Sequence, residues 1–94
     1  MSVETLATLG MRFRIRALAD ADALEAALAQ AGGAPACIEA MAHGLAGSAG
    51  MFGEPEIGEV AGALDASFAE GRPPDAAMVR ALVAVIRDRL ADHS

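Results

Sequence analysis

Lysine, tryptophan and tyrosine are absent from this 94-residue sequence, which contains a single cysteine. The seven basic residues are all arginines and face 13 acidic residues, so the formal net charge is −6. Binding to a nucleic-acid backbone requires clustered positive charge, which this composition does not supply. Cys37 has no second cysteine to pair with, and His43 and His93 add too few ligands for a structural zinc site. We therefore expect no nucleic acid, no metal and no cofactor, and a cytoplasmic protein.

Long apolar runs are also missing. The longest stretch with few charges, residues 40–53, is too short to cross a bilayer, and the N-terminal residues lack the pattern of a signal peptide. We therefore expect no membrane association. Aromatic residues are limited to three phenylalanines, whereas alanine contributes 24 residues, a composition that favours helices. A chain of this length has room for one domain, residues 1–94, and none for a catalytic barrel or a doubly wound sheet.

Glycine and proline divide the chain into four segments. The breaks are residues 32–35, 53–55 and 71–75, and each has Gly after one segment and Pro near the start of the next. Short connections between helices of similar length predict an all-α fold, an antiparallel up-down four-helix bundle. The irregular first segment leaves room for a short extra N-terminal helix.

Each segment has an apolar face at helical spacing, which predicts the core. The predicted core residues are Leu6, Phe13, Ala17, Ala21, Leu24 and Leu28 in the first segment, Ile38, Met41, Ala42, Leu45, Ala49 and Phe52 in the second, Ile57, Val60, Ala61, Leu64 and Phe68 in the third, and Met78, Val79, Leu82, Val83, Ile86 and Leu90 in the fourth.

The first segment carries a second apolar stripe, made by Met11, Ile15 and Leu18. This stripe is predicted either to be covered by residues 2–9 or to remain exposed as a docking face. Residues 11–17 also alternate between apolar residues and arginines, which is the period of a half-buried strand. Because the chain offers no second strand to pair with, we favour the helix.

Residues 43–53 combine a histidine with an unusual density of glycine. Gly44, Gly47 and Gly50 lie inside a predicted helix, where each costs about 1 kcal/mol relative to alanine. Gly47 and Gly50 share the helix face of His43, so the imidazole is left uncovered and another protein can approach closely. A lone histidine is more often a partly buried structural residue, and glycines often serve close helix packing. The predicted core stripe contains none of these residues, which favours a nucleophile that enters a partner's site.

This segment resembles the histidine-containing phosphotransfer (HPt) domain family, whose signature is His-x-Leu-Lys-Gly-Ser with a further Gly ten residues after the His. The matching residues are His43, Leu45, Gly47, Ser48 and Gly53, and the resemblance covers residues 35–70 well. It implies a four-helix bundle in which His43 takes a phosphoryl group from a receiver aspartyl phosphate or a histidine kinase and passes it on. The family neither binds nor hydrolyses ATP, and the Mg²⁺ that transfer requires is expected in the partner receiver domain.

One position departs from the signature, because Ala46 stands where the family usually has Lys. Either a nearby arginine replaces that charge, or the partner supplies it, or transfer is slow. Folding the first two helices back on each other brings residues 16–22 beside residues 43–49, which makes Arg16 the first candidate and Arg14 the second. The competing interpretation is that these arginines, with Arg12, only form a solvated face.

The same count places Asp65 of the third helix level with His43. A carboxylate there can hold one ring N–H and leave the other nitrogen free to attack, although an exposed helix Asp is usually only solvated. Ser48 is expected to bond a backbone carbonyl.

We expect Met11, Ile15 and Met51 to form an apolar rim that docks a receiver, and Leu18 is an additional candidate for this rim. Two alternatives remain open: a helical adaptor that binds signalling partners without carrying phosphate, and a bundle that dimerises through Met11, Ile15 and Leu18. We expect a monomer.

Overall fold

The computed structural model describes residues 3–30, 32–73 and 75–91, and all of their regular structure is helical. Helix α1 spans Val3–Ala29, α2 spans Pro35–Ser48, α3 spans Pro55–Ala69 and α4 spans Ala76–Leu90. A 3₁₀ turn, Ala49–Phe52, follows α2 directly. Helix α1 packs against α2 and α4, and α3 packs against the same two helices, so the four form a bundle. This confirms the predicted all-α four-helix fold. Residues 11–17 lie inside α1, so the predicted helix is confirmed there and the alternative strand is wrong.

The helix ends follow the glycines and prolines. Pro35 and Pro55 are the first residues of α2 and α3. Gly53 and Gly71 adopt φ values of 76° and 80°, in the left-handed region that favours glycine, and so reverse the chain after a helical stretch. Asp75 is the N-cap of α4, and its carboxylate accepts a hydrogen bond of 2.8 Å from the backbone N–H of Ala77.

The core runs along the bundle axis and contains side chains from all four helices. No buried polar or charged side chain occurs among the residues that the structure describes. The apolar faces predicted for the second, third and fourth segments are buried or pack against the core, except Phe52, which is half-buried and stacks on Phe13. The largest fully buried side chains are Leu24, Ile38, Ile57, Leu64, Leu82, Ile86 and Val79.

Helix α1 differs from the sequence-based expectation at its N-terminal end. The prediction of a short extra N-terminal helix is wrong, because residues 3–29 form one continuous helix that Gly10 does not interrupt. At 27 residues it is about 40 Å long, whereas its partners of 14 or 15 residues are about 22 Å long. The first turns of α1 therefore extend beyond the shorter helices, and Leu6, predicted in the core, is 55% exposed.

Because α1 is continuous, its N-terminal residues do not cover the second apolar stripe of the helix. Residues 3–9 extend the helix axis and do not fold back over Met11 and Ile15, which are 63% and 61% exposed. Leu18 is half-buried and packs against the core, so its assignment to an exposed rim is wrong. Within the described residues, no helix has the length and apolar character needed to cross a membrane.

Candidate functional site

His43 lies on the outer face of α2, with 79% of its side chain exposed. The buried residues of the helix, Ile38, Ala42 and Leu45, occupy the opposite side. Because successive residues of a helix are rotated by about 100°, a helix that buries these three must present His43 to solvent. The imidazole is therefore available to another molecule and takes no part in the core.

Asp65 of α3 holds one nitrogen of this imidazole. Its Oδ2 lies 3.1 Å from His43 Nδ1, and the carboxylate is 32% exposed. An ionised carboxylate can only accept hydrogen bonds, so Nδ1 carries the proton and donates it. The neutral ring then has its lone pair on Nε2, the nitrogen that a nucleophile needs free. The structure thus brings Asp65 to the position that the helix count predicted.

The three glycines beside His43 have no packing role inside the molecule. Gly44, Gly47 and Gly50 are exposed, and a Cβ atom added to any of them would meet no heavy atom within 4 Å. Gly58 of α3 shows the contrast, since a Cβ there would lie 3.7 Å from the Ala49 side chain. The alternative that these glycines serve close helix packing is therefore wrong, and the face around His43 is bare backbone.

The Ser48 hydroxyl bonds the backbone of its own helix. It donates a hydrogen bond of 2.8 Å to the backbone carbonyl of Gly44. This confirms the predicted backbone bond. The Ser48 hydroxyl therefore bonds the backbone of the preceding helical turn.

An open groove of about 460 Å³ runs between α1 and α2 beside this face. Phe13 and Phe52 stack at one end of it, with ring centroids 4.8 Å apart. The lining residues are Leu9, Arg12, Phe13, Arg16, Ala17 and Asp20 from α1, and Ala40, Met41, Gly44, Leu45, Ser48 and Phe52 from α2 and the turn after it. The groove therefore combines an apolar floor with two cations.

The arginines of α1 have different partners. Arg16 lines the groove as expected, and its Nε lies 3.4 Å from Asp20 Oδ1. Arg14 Nε donates a 2.6 Å hydrogen bond to the carbonyl of Leu90 at the end of α4, so this second candidate is held at another helix. Burial raises the pKa of Asp20, and the charge of Arg16 opposes that rise. The Arg16–Asp20 pair was overlooked in the sequence, although its spacing of four residues is typical of a helical ion pair.

The predicted rim residues Met11, Ile15 and Met51 are all exposed. Met51, in the turn after α2, is 80% exposed. Met11 and Ile15 are exposed, but they do not line the groove beside the histidine face. Each precedes an arginine that does, and is therefore rotated by about 100° away from it.

The remaining sequence candidates give no further site. No cluster of three or more His, Cys, Asp or Glu side chains that could hold a metal ion occurs in residues 3–30, 32–73 and 75–91. Cys37 is a free, exposed cysteine. His93 lies outside the described residues.

Comparison with known proteins gives a family and no individual relative. No curated protein and no solved structure matches the chain significantly. The family model of the Hpt domain matches residues 11–93, nearly the whole chain. Hpt domains are phosphotransfer carriers of two-component phosphorelays, not autonomous kinases, and they interact with histidine kinases and with receiver domains of response regulators. With this match and the four-helix bundle that displays His43, the chain belongs to the Hpt domain family.

Proposed function

We propose that this chain is a phosphorelay intermediate in which Nε2 of His43 carries the phosphoryl group. It accepts the group from a receiver aspartyl phosphate or from a histidine kinase and passes it to a response regulator. The observation that carries the proposal is the exposed imidazole whose Nδ1 is held 3.1 Å from Asp65. Nucleophilic catalysis requires this state, in which one ring nitrogen is oriented and the other is free.

The chemical step follows from this hydrogen bond. The Nε2 lone pair attacks phosphorus, the N–P bond forms, and the bond from phosphorus to the donor's carboxylate oxygen breaks, which releases the carboxylate. The Nδ1 proton stays on the ring, so the phosphorylated imidazole gains one positive charge. The Asp65 carboxylate offsets that charge across the Nδ1–H bond. Transfer onward is the same step in reverse, with the next receiver's aspartate as nucleophile.

The bare face supplies access. The attacking nitrogen must come within about 3–3.5 Å of phosphorus inside the partner's site, and side chains at Gly44, Gly47 or Gly50 would stand in the way. Met51 offers an apolar contact at the edge of this face. A transient contact of this kind typically buries less than about 1,200 Å² in total. The divalent ion used in the reaction is expected in the receiver's acidic pocket, and the chain is expected to be a cytoplasmic monomer.

Two other functions remain as alternatives. Ala46, which lacks the positive charge that the signature has there, favours an adaptor that binds receivers or kinases without carrying phosphate. Exposed Met11 and Ile15 favour a dimer seam, although Leu18 is not available for it. Light scattering at micromolar concentration tests the seam, and a monomer eliminates it.

The relay is tested by incubating the chain with phosphorylated receiver domains encoded beside its gene, and separately with phosphoramidate as a small phosphoryl donor. We expect one phosphoryl group per chain that is labile in acid and stable in base, and none on His43→Gln. Absence of label on the wild type from both donors, or equal label on His43→Gln, contradicts the relay function. A receiver complex that forms without any transfer supports the adaptor.

A further inference from the structure

Among the described residues, acidic side chains lie near His43, and no hydrogen bond or ion pair joins its ring to a cation. Asp65 contacts the ring, and Glu39 is exposed one helical turn before the histidine on α2. Ala46, one turn after it, has no charge. An incoming phosphoryl group is dianionic, so this arrangement repels it unless a cation from elsewhere reaches the site.

Most of the seven arginines are already bound to other groups. Arg14 bonds the Leu90 carbonyl, Arg16 pairs with Asp20, Arg72 with Glu70, Arg87 with Asp22 and Glu25, and Arg89 with Glu54. No hydrogen bond or ion pair joins the other two, Arg12 and Arg80, to another residue in the described part of the chain. Arg80 lines the groove between α1 and α4, whereas Arg12 lines the groove with Gly44 and Ser48.

Arg16 also lines the groove between α1 and α2, but it is less free to leave its partner Asp20. Asp20 is only 15% exposed, and burial raises its pKa against the opposing charge of Arg16. Withdrawing Arg16 would leave a largely buried carboxylate without its cation, which is costly. Arg12 can move without breaking any interaction.

We propose that Arg12 is the cation that binds the phosphoryl group in the transfer complex, by extending from the α1–α2 groove across Gly44 and Gly47 toward His43. Packed helices lie about 8–10 Å apart, a span that a long arginine side chain crosses when no side chain stands in its way. Gly44 faces the groove and Gly47 lies between Gly44 and His43 around the helix, so the glycines clear this path as well as the partner's approach. The guanidinium donates two N–H groups to phosphoryl oxygens, in a geometry that arginine favours. This inference rests on the proposed phosphotransfer function.

The test measures the initial rate at which phosphoramidate labels the full chain, followed by mass spectrometry, at low and at 0.5 M salt. We expect Arg12→Gln to label about fivefold more slowly than the wild type at low salt, with the difference shrinking at high salt because exposed charges are screened. Arg80→Gln is the matched control, since it removes another unpaired exposed arginine and should keep the wild-type rate. Circular dichroism checks that both variants keep the helical fold.

Two further variants separate a phosphoryl contact from a structural effect. Arg12→Lys should recover most of the rate, and Ala46→Lys should restore it in the Arg12→Gln background because it supplies the charge next to His43. Arg12→Gln within twofold of the wild type, or equal slowing by Arg80→Gln, overturns the assignment while the relay function stands. Absence of label on the wild type from phosphoramidate and from phosphorylated receivers alike overturns the relay function itself, and this assignment with it.

Discussion

The hydrogen bond from His43 Nδ1 to Asp65 leads to a quantitative prediction for the phosphotransfer rate. The two atoms are 3.1 Å apart, and both side chains are partly exposed. When the ring becomes cationic, its Coulomb interaction with the Asp65 carboxylate is at least the value in bulk water, about 1.3 kcal/mol at this distance. Each 1.36 kcal/mol of barrier is a factor of ten in rate. Asp65→Ala should therefore slow labelling of His43 by about tenfold.

Asp65→Asn separates the two contributions of the carboxylate. The amide oxygen can still accept the Nδ1 proton and keep the ring oriented, but it has no charge to offset that of the phosphorylated ring. An Asn variant near the wild-type rate indicates that orientation dominates, and a rate near that of the Ala variant indicates that charge dominates.

Single-turnover labelling with phosphoramidate gives the rates, and ¹⁵N NMR of the imidazole gives the tautomer in each variant. Asp22→Asn is the control, because it removes an exposed aspartate that forms an ion pair with Arg87, away from His43. If Asp65→Ala labels at the wild-type rate and its ring keeps the proton on Nδ1, the orienting role of Asp65 is refuted.

Further variants test the bare face beside His43, the packing of the core and the half-buried carboxylate of Asp20. Gly47→Leu should block transfer from a receiver while the helical signal stays near the wild type, whereas Gly47→Ala should stabilise the fold by up to about 1 kcal/mol, a rise in Tm of roughly 4–8 °C, because a Cβ there meets no other atom. Leu24→Ala should lower the free energy of unfolding by about 2–5 kcal/mol in urea titrations, since Leu24 is fully buried. Burial raises the pKa of Asp20, so the ionised carboxylate destabilises the fold at pH 7 and this effect disappears as the pH falls below the ordinary Asp value of about 3.9. Asp20→Asn should therefore raise Tm relative to the wild type more at pH 7 than at pH 3.5.

Each of these has a result that contradicts it. Normal transfer by Gly47→Leu removes the access argument, and Gly10→Ala, at an α1 position that is equally free of neighbours, is the control for added helix stability. A loss below about 1 kcal/mol for Leu24→Ala would mean that the bundle axis is not closely packed there. If the change in Tm caused by Asp20→Asn is the same at pH 7 and pH 3.5, the Asp20 carboxylate has the same pKa in the folded and unfolded chains.

Much of the site was readable from local sequence. The exposure of His43 follows from its rotation away from Ile38, Ala42 and Leu45, and the glycine spacing predicts the bare face around it. A helix count about the Gly53 turn was sufficient to place Asp65 level with the histidine, because two helices joined by a short turn have little freedom in their relative height. Such a count cannot decide whether two side chains touch, since a shift of one residue rotates a side chain by about 100°.

The amino-acid sequence by itself determined the four helices, their buried faces and the histidine that faces outward, because periodicity and glycine–proline boundaries are local properties of the chain. Only the tertiary structure decided that α1 extends beyond its partners, which exposes Leu6, and that Arg14 bonds Leu90 while Arg12 and Arg16 share one groove, in which Arg16 pairs with Asp20. Arg12 and Arg16 are one helical turn apart on the same face, whereas Arg14 is rotated away toward α4. The availability of each arginine depends on where α4 ends and on where Asp20 lies, and both are set by packing between distant segments.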